Sequence, residues 1–202
     1  MADTEVEDGL AYTPYSISLK TPRLLLRSFE EADLAAVSAY RQDAQVMRFI
    51  TGGAETSEEV EAFLERTRSY AQQQPQQQYR FAIVLASSRR VIGGCGLDIL
   101  DADLGEGEIG YHLHRDFWGH GIATETAGAL LRFGFEHLKL HRIVADCAAD
   151  NPASARVMQK AGMRHEAHFH ENKRIGGQWH DTLLYAILER VWNARSGEGP
   201  SL

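Results

Sequence analysis

The stretch Trp118-Gly119-His120-Gly121-Ile122-Ala123-Thr124-Glu125 decides how the rest of the chain is read. Before it runs Glu108-Ile109-Gly110-Tyr111-His112-Leu113, alternating as a strand does. After it Ala123, Ala127, Leu130, Leu131 and Leu138 recur at helical spacing. A strand, a glycine turn and a helix in that order build an anion site. Glycines let the backbone turn tightly and approach a ligand, and the N–H groups of a first helical turn lie at the positive end of the helix dipole. A diphosphate suits such a place. The turn is not the dinucleotide fingerprint, which needs glycine where Thr124 stands, nor a P-loop, since no Gly-Lys-Ser/Thr follows. Two glycines before a helix also serve as a plain turn and cap, so the reading depends on its surroundings.

Downstream, residues 142–148 read as a mostly buried strand, joined to the earlier one through the helix in a parallel crossover. Asp150-Asn151-Pro152-Ala153-Ser154 opens another helix, with Asn151 as N-cap and Pro152 at the first helical position, and Gly162 closes it. Residues 163–170 and 179–189 are two strands around Ile175-Gly176-Gly177.

Upstream, residues 79–86 and 91–98 form a hairpin across Ser87-Ser88-Arg89-Arg90, and Gly93, Gly94 and Gly96 point to a bulge or a close backbone approach. The glutamine-rich run 72–78 is a solvated connection. Thr56 with Glu59, and Ser28 with Glu31, make capping boxes, predicting helices from 57 and over 30–41; Val60, Phe63 and Leu64 form the inner stripe of the former. Residues 43–54, with Phe49, Ile50, Gly52 and Gly53, are expected to be irregular and to line a substrate cleft. Residues 19–27 read as one strand with Leu24 and Leu26 on one face and Pro22 near its start. The whole is a single α/β (α+β) domain over 16–193, a mixed sheet with helices on both faces. Residues 1–15 are expected to be an acidic tail and 194–202 a loose one.

A chain of 202 residues, 44% apolar, buries one substantial core. It shows no apolar run of bilayer length and no basic-then-apolar leader, so neither a membrane nor a secretory destination is expected. Cys95 and Cys147 lie in apolar stretches without metal-like spacing, which predicts reduced, buried thiols in the cytoplasm. The net charge of -7 argues against nucleic acid as a partner and suits a cationic amine, though acidity also serves solubility.

Four pieces in register over residues 21–192 carry a family likeness: Thr-Pro-Arg-Leu-Leu-Leu-Arg at 21–27; Glu-Ile-Gly-Tyr at 108–111 with the glycine turn at 118–125; Asn-Pro-Ala-Ser at 151–154 with Lys-Ala-Gly-Met at 160–163; and Trp-His-Asp at 179–181. The chain resembles the GNAT superfamily of acyl-CoA-dependent N-acetyltransferases, most of all the ribosomal-protein alanine N-acetyltransferases of the Rim type. The resemblance implies a GNAT-like, mostly antiparallel sheet and bound acetyl-CoA. The pyrophosphate would lie on the backbone of Gly119, His120, Gly121, Ile122, Ala123 and Thr124, the pantetheine between the strands at 108–113 and 142–148, and the thioester near Leu113. Asn151 would contact the cofactor as well as cap its helix. Trp118 stands where the superfamily often has Gln or Arg, removing one polar side-chain contact but no main-chain donor.

Acyl transfer needs a base for the amine, whose pKa is about 8 to 10 for an α-amine or a lysine, and a proton for the leaving thiolate. Glu108 and His112 share a strand face with Gly110 and are the two candidate bases, each also readable as a solvated or structurally paired residue. Ser154 is the candidate acid, because the family's frequent tyrosine seven residues past the asparagine is Met158 here. His168 and His170 share a face but His165 does not, and no carboxylate or cysteine completes a known ligand spacing, so no metal is expected. These histidines, with Glu166, Glu171 and Asp181, are expected to border the acceptor cleft or to lie on the exposed hairpin face. The expected function is transfer of acetyl from acetyl-CoA to a primary amine, first a protein N-terminus, alternatively a small amine, by a monomer or homodimer. The alternative from another class is a non-catalytic acyl-CoA binding module.

Overall fold

The structure, a computed structural model, describes residues 10–13 and 16–196. Its strands are β1 (Leu10–Thr13), β2 (Ser16–Lys20), β3 (Leu24–Arg27), β4 (Gln78–Leu85), β5 (Val91–Asp101), β6 (Glu106–Leu113), β7 (Arg142–Ala148), β8 (Arg164–Ile175) and β9 (Gln178–Leu188). They form one nine-stranded sheet in the order β1-β2-β3-β4-β5-β6-β7-β9-β8, antiparallel at every step except β6 to β7. The helices are α1 (Leu34–Arg41), α2 (Ala44–Met47), α3 (Ser57–Tyr70), α4 (Ile122–Arg132), α5 (Pro152–Lys160) and α6 (Glu189–Ser196).

Alternation along β4 explains why the sheet is covered on both sides. Tyr79, Phe81 and Ile83 join one buried cluster with Leu130, Leu131 and Phe133 from α4 and the turn after it; Met158 of α5 lies in the same cluster. Ala82 and Val84 face the other way, into a second cluster with Val37 and Tyr40 of α1 and Val60, Phe63 and Leu64 of α3. The α1–α3 side is further held by the bidentate Arg41–Glu55 pair, whose two contacts are both 2.6 Å, with Arg41 lying 3.7 Å above the Phe63 ring. Among the described residues no helix is long and apolar enough to cross a membrane.

Several expectations need correction. Residues 19–27 are not one strand: Thr21 N donates to Leu24 O at 2.9 Å, the chain reverses around Pro22, and β2 pairs antiparallel with β3. The Ser28 box is replaced by one between Glu30 and Asp33, because the Asp33 carboxylate accepts from Glu30 N at 2.8 Å and from both Arg27 terminal nitrogens at 2.7 and 2.8 Å. The helix therefore begins as a 3-10 turn, Glu31–Asp33, and becomes α1 only at Leu34. The 43–54 segment contains the short helix α2. Leu10–Thr13, placed in the acidic tail, pairs along β2 and extends the sheet; residues 1–9, 14–15 and 197–202 of the two expected tails lie outside the described residues. The Thr56–Glu59 box, the 79–98 hairpin and the parallel crossover through α4 stand as read. Cys95 and Cys147 are both buried.

Candidate active site

Gly119 and Gly121 adopt φ of +79° and +75°, the left-handed region that glycine enters without a Cβ penalty, and Gly121 is the N-cap of α4. The first bond of α4 that the turn supplies runs from Glu125 N to Gly121 O at 3.1 Å. The amides of Ile122, Ala123 and Thr124, which precede it, have no carbonyl one turn back to bond. Free first-turn amides of this kind are suited to bind an anion. The carbonyl of Leu113, at the end of β6, accepts from Trp118 Nε1 at 2.9 Å, so the tryptophan bolts this turn to the strand instead of offering a polar hand to a ligand.

A clamp that periodicity could not reveal holds the turn from outside. The Glu125 carboxylate accepts from Thr21 Oγ1 at 2.6 Å, from Arg23 N at 3.0 Å and from Arg23 Nε at 2.6 Å. A terminal nitrogen of Arg23 donates to His120 O at 2.9 Å. The Thr-Pro-Arg run at 21–23 thus grips both sides of the glycine turn. Its only signal in the sequence was its resemblance to a motif.

From that turn a slot leads inward. The parallel pairing of β6 with β7 covers only Glu106↔Arg142, Gly107↔Ile143 and Glu108↔Val144. Beyond it β6 runs on to Leu113 while β7 stays paired with β9 as far as Ala148↔Thr182, so the two strands part like a fork. Asn151 stands past the end of β7; its side chain accepts from Ser154 N at 3.2 Å and caps α5.

Glu108 is the last paired residue before the strands part. On its face a row of ion pairs flanks it: Arg80 holds Asp98 through contacts of 2.6 and 2.9 Å, and Lys173 holds Asp146 at 2.7 Å. Glu108 itself has no hydrogen-bonded or ion-paired partner among the described residues. Burial lifts its carboxyl above the ordinary carboxylate range, Asp146 pushes the same way, and Lys173 opposes them. A carboxyl with its proton affinity raised in this way is a common feature of functional sites.

On the opposite face Tyr111 reaches α5. Its hydroxyl lies 3.2 Å from Ser154 Oγ and 3.3 Å from Ser154 O. Burial pushes the phenol up to about 12, so it remains a proton donor. Met158 is core, and the phenol beside Ser154 comes from the sheet instead. A tyrosine on the packed face of a strand needs a polar partner, and that was the signal available in the sequence.

His112 does not join Glu108 at the cleft. Its ring packs 5.2 Å from the Tyr40 ring, its Nε2 is buried with no hydrogen-bond partner among the described residues, and burial, then Arg41 and Arg80, pushes it down to about 3. The imidazole is neutral and sealed under α1, out of reach of an acceptor.

The loop after α2 bridges the Glu108 side. A Cβ on Gly52 would stand 2.3 Å from Gly176 Cα, so the loop touches the β8–β9 tip backbone to backbone, with Gly52 at φ +90°. Arg48 meets Asp150 at 3.3 Å and Arg115 meets Asp43 at 3.2 Å, tying the same segment to the start of α5 and to the turn after β6.

The model of the acetyltransferase (GNAT) domain matches residues 23–164, which include the fork, the glycine turn and Asn151. The chain belongs to the GNAT family. An uncharacterized N-acetyltransferase of Bacillus subtilis, YnaD, is 36% identical over 177 residues, 87% of this chain and 99% of that protein. The crystal structure of a GNAT-family acetyltransferase from Bacillus anthracis superposes with a TM-score of 0.76 at 34% identity, covering 86% of this chain and 99% of the other. The [ribosomal protein uS5]-alanine N-acetyltransferase of Escherichia coli is 27% identical over 84 residues, 42% of this chain and 43% of its own.

Acetyltransferases of the GNAT family use acetyl-CoA as acyl donor for an amine. The geometry fits a donor of that shape: left-handed glycines and unbonded amides for a diphosphate, and a parting of two strands for a slender arm. On the exposed terminal hairpin, His168 and His170 both meet Asp181, which the register of β8 on β9 brings opposite them and which sequence spacing did not offer.

Proposed function

We propose that this GNAT enzyme acetylates the primary amine of a small molecule by direct transfer in a ternary complex, without a covalent enzyme intermediate. The observation that carries the chemistry is the position of Glu108 where β6 and β7 part, with the Tyr111–Ser154 pair across the same strand. The bound acyl donor supplies an activated carbonyl and a thiolate leaving group. Glu108 takes the proton from the amine, directly or through a water. Ser154 gives its hydroxyl proton to the departing sulfur and takes one from Tyr111, protonated at neutral pH. After the products leave, solvent returns a proton to Tyr111 and accepts the one held by Glu108, which closes the cycle. Gly119, Gly121 and the amides of Ile122, Ala123 and Thr124 hold the diphosphate, His120 and Trp118 shape that turn, and Leu113 and Asn151 line the arm.

The bridge at Gly52 and Gly176 supports a small acceptor over a protein surface, since it narrows the mouth on the Glu108 side. A second reading, a protein N-terminal amine threaded end-on, is supported by the Rim-type motifs and by the name of the uS5-directed relative. The test is acetyl-CoA turnover with pooled small amines and pooled N-terminal peptides, read by mass so that the product identifies itself. Acetylated small amines bear the proposal out, acetylated peptides alone favour the second reading, and tight CoA binding with no transfer to either pool leaves only a binding module.

A further inference from the structure

We infer that His168, His170 and Asp181 form a binding site for a zinc-class divalent cation on the exposed face of the β8–β9 hairpin. His168 Nε2 lies 3.0 Å and His170 Nδ1 2.8 Å from the same oxygen, Asp181 Oδ2, and one ligand atom from each of the three residues falls within 4.8 Å of the others. Around a tetrahedral zinc with bonds of about 2.0–2.1 Å, neighbouring ligand atoms stand roughly 3.3–3.4 Å apart. The triad thus needs its ligand atoms to shift by tenths of an ångström at Asp181 and by at most about 1.5 Å between the two histidines.

The backbone is shaped to make this cluster. Pairing of β8 with β9 jumps from Phe169↔Thr182 to Lys173↔His180, so residues 170–172 bulge opposite Asp181 alone, and Glu171 sits at φ +45° in the left-handed region. That bulge folds His170 back beside His168, their ring centroids 4.5 Å apart. Glu171 N donates to Asp181 Oδ1 at 2.9 Å, which orients the other oxygen toward the imidazoles in the way an outer shell orients a ligand. The Asp181 carbonyl accepts from Ala149 N at 2.9 Å, anchoring the aspartate to the loop that leads to Asn151. Side-chain exposures of 42% for His168 and 77% for His170 leave room for entry and for water as a further ligand. Two imidazoles and one carboxylate suit Zn²⁺, Ni²⁺ or Cu²⁺, whereas Mg²⁺ and Ca²⁺ prefer oxygen alone.

The test is calorimetric titration of the tag-free full chain with zinc chloride and, separately, magnesium chloride. One zinc per chain is expected, with no magnesium bound. His168→Ala and His170→Ala should each weaken zinc binding by ~10-fold or more, as should Asp181→Asn. Zinc at a hundredfold excess over Kd should raise the Tm of the parent chain by about 5 °C and leave that of the double H168A/H170A variant unchanged. Circular dichroism checks that the variants fold, as the exposed positions of both histidines predict. Absence of zinc binding, undiminished zinc binding by the double variant, or equal binding of magnesium overturns the inference.

Discussion

Arg23 and Glu125, separated by 102 positions in the chain, share an ion pair of 2.6 Å that fixes the mouth of α4. The pair is half-exposed on the arginine side, so its stability contribution is at most about 1 kcal/mol. Its effect on the donor site is larger, because the same guanidinium also holds His120 O. Arg23→Ala is expected to raise the KM for acetyl-CoA by ~10-fold with a smaller change in kcat. Arg23→Lys should rescue little, since it lacks the fork that spans both partners. Steady-state kinetics checks this, and an unchanged KM for acetyl-CoA in both variants would refute it.

Tyr111→Phe keeps the ring and removes the hydroxyl. With Ser154 as the proton donor and Tyr111 behind it, kcat should fall ~10-fold in Tyr111→Phe and ~100-fold in Ser154→Ala, with the double variant no worse than Ser154→Ala. Two drops that simply multiply would mean that the groups act independently.

Replacing Glu108 by Gln should lower kcat/KM by ~100-fold to 10,000-fold. In the parent enzyme the acid limb of the pH–rate profile should lie above the ordinary carboxylate value of 4.5, because burial raises this carboxyl. The effect on stability has the opposite sign. A carboxyl whose pKa is raised on folding binds its proton more tightly in the native state, so its favourable contribution is present at low pH and is lost as pH rises through the raised value. Glu108→Gln should therefore unfold at a higher Tm than the parent near neutral pH while being less active. A Tm below the parent's would count against the desolvated-base reading.

His112 provides a pH signature of another kind. Its pKa is depressed on folding from 6.5 to about 3, so its contribution is full above pH 6.5 and is lost as pH falls through that window. One differential proton corresponds to about 1.4 kcal/mol per pH unit. His112→Phe should lose less stability than the parent chain between pH 6 and 4 in denaturant titrations, while the shape of the pH–rate profile stays the same. Disappearance of the acid limb in this variant would reinstate His112 as the base.

Gly52→Ala places a Cβ against Gly176 in a backbone conformation that alanine resists. The expected cost is about 1 kcal/mol of stability and a ~10-fold higher KM for the amine acceptor, with the KM for acetyl-CoA unchanged. Gly176→Ala should act in the same direction. Equal changes in both KM values would remove the bridge from the acceptor site.

By itself the sequence determined most of the elements and the glycine turn at the mouth of α4, but not the reversal at Pro22, the start of α1, the short α2 or β1. The 3.6-residue and two-residue periods, the Thr56–Glu59 box and the Asn151-Pro152 cap are local, and the glycines before α4 place amides at a helix mouth whatever lies around them. Tertiary structure alone decided which polar residues meet. The reversal at Pro22 brings Arg23 to Glu125, the face of β6 turned to α5 gives Ser154 a phenol, and the hairpin register sets Asp181 against two histidines. The same alternation that pairs His112 with Glu108 on paper leaves one at a fork and the other under a helix. Periodicity tells which side of an element a residue takes, whereas burial and partners depend on what the rest of the chain packs there, and proton affinity follows burial and partners.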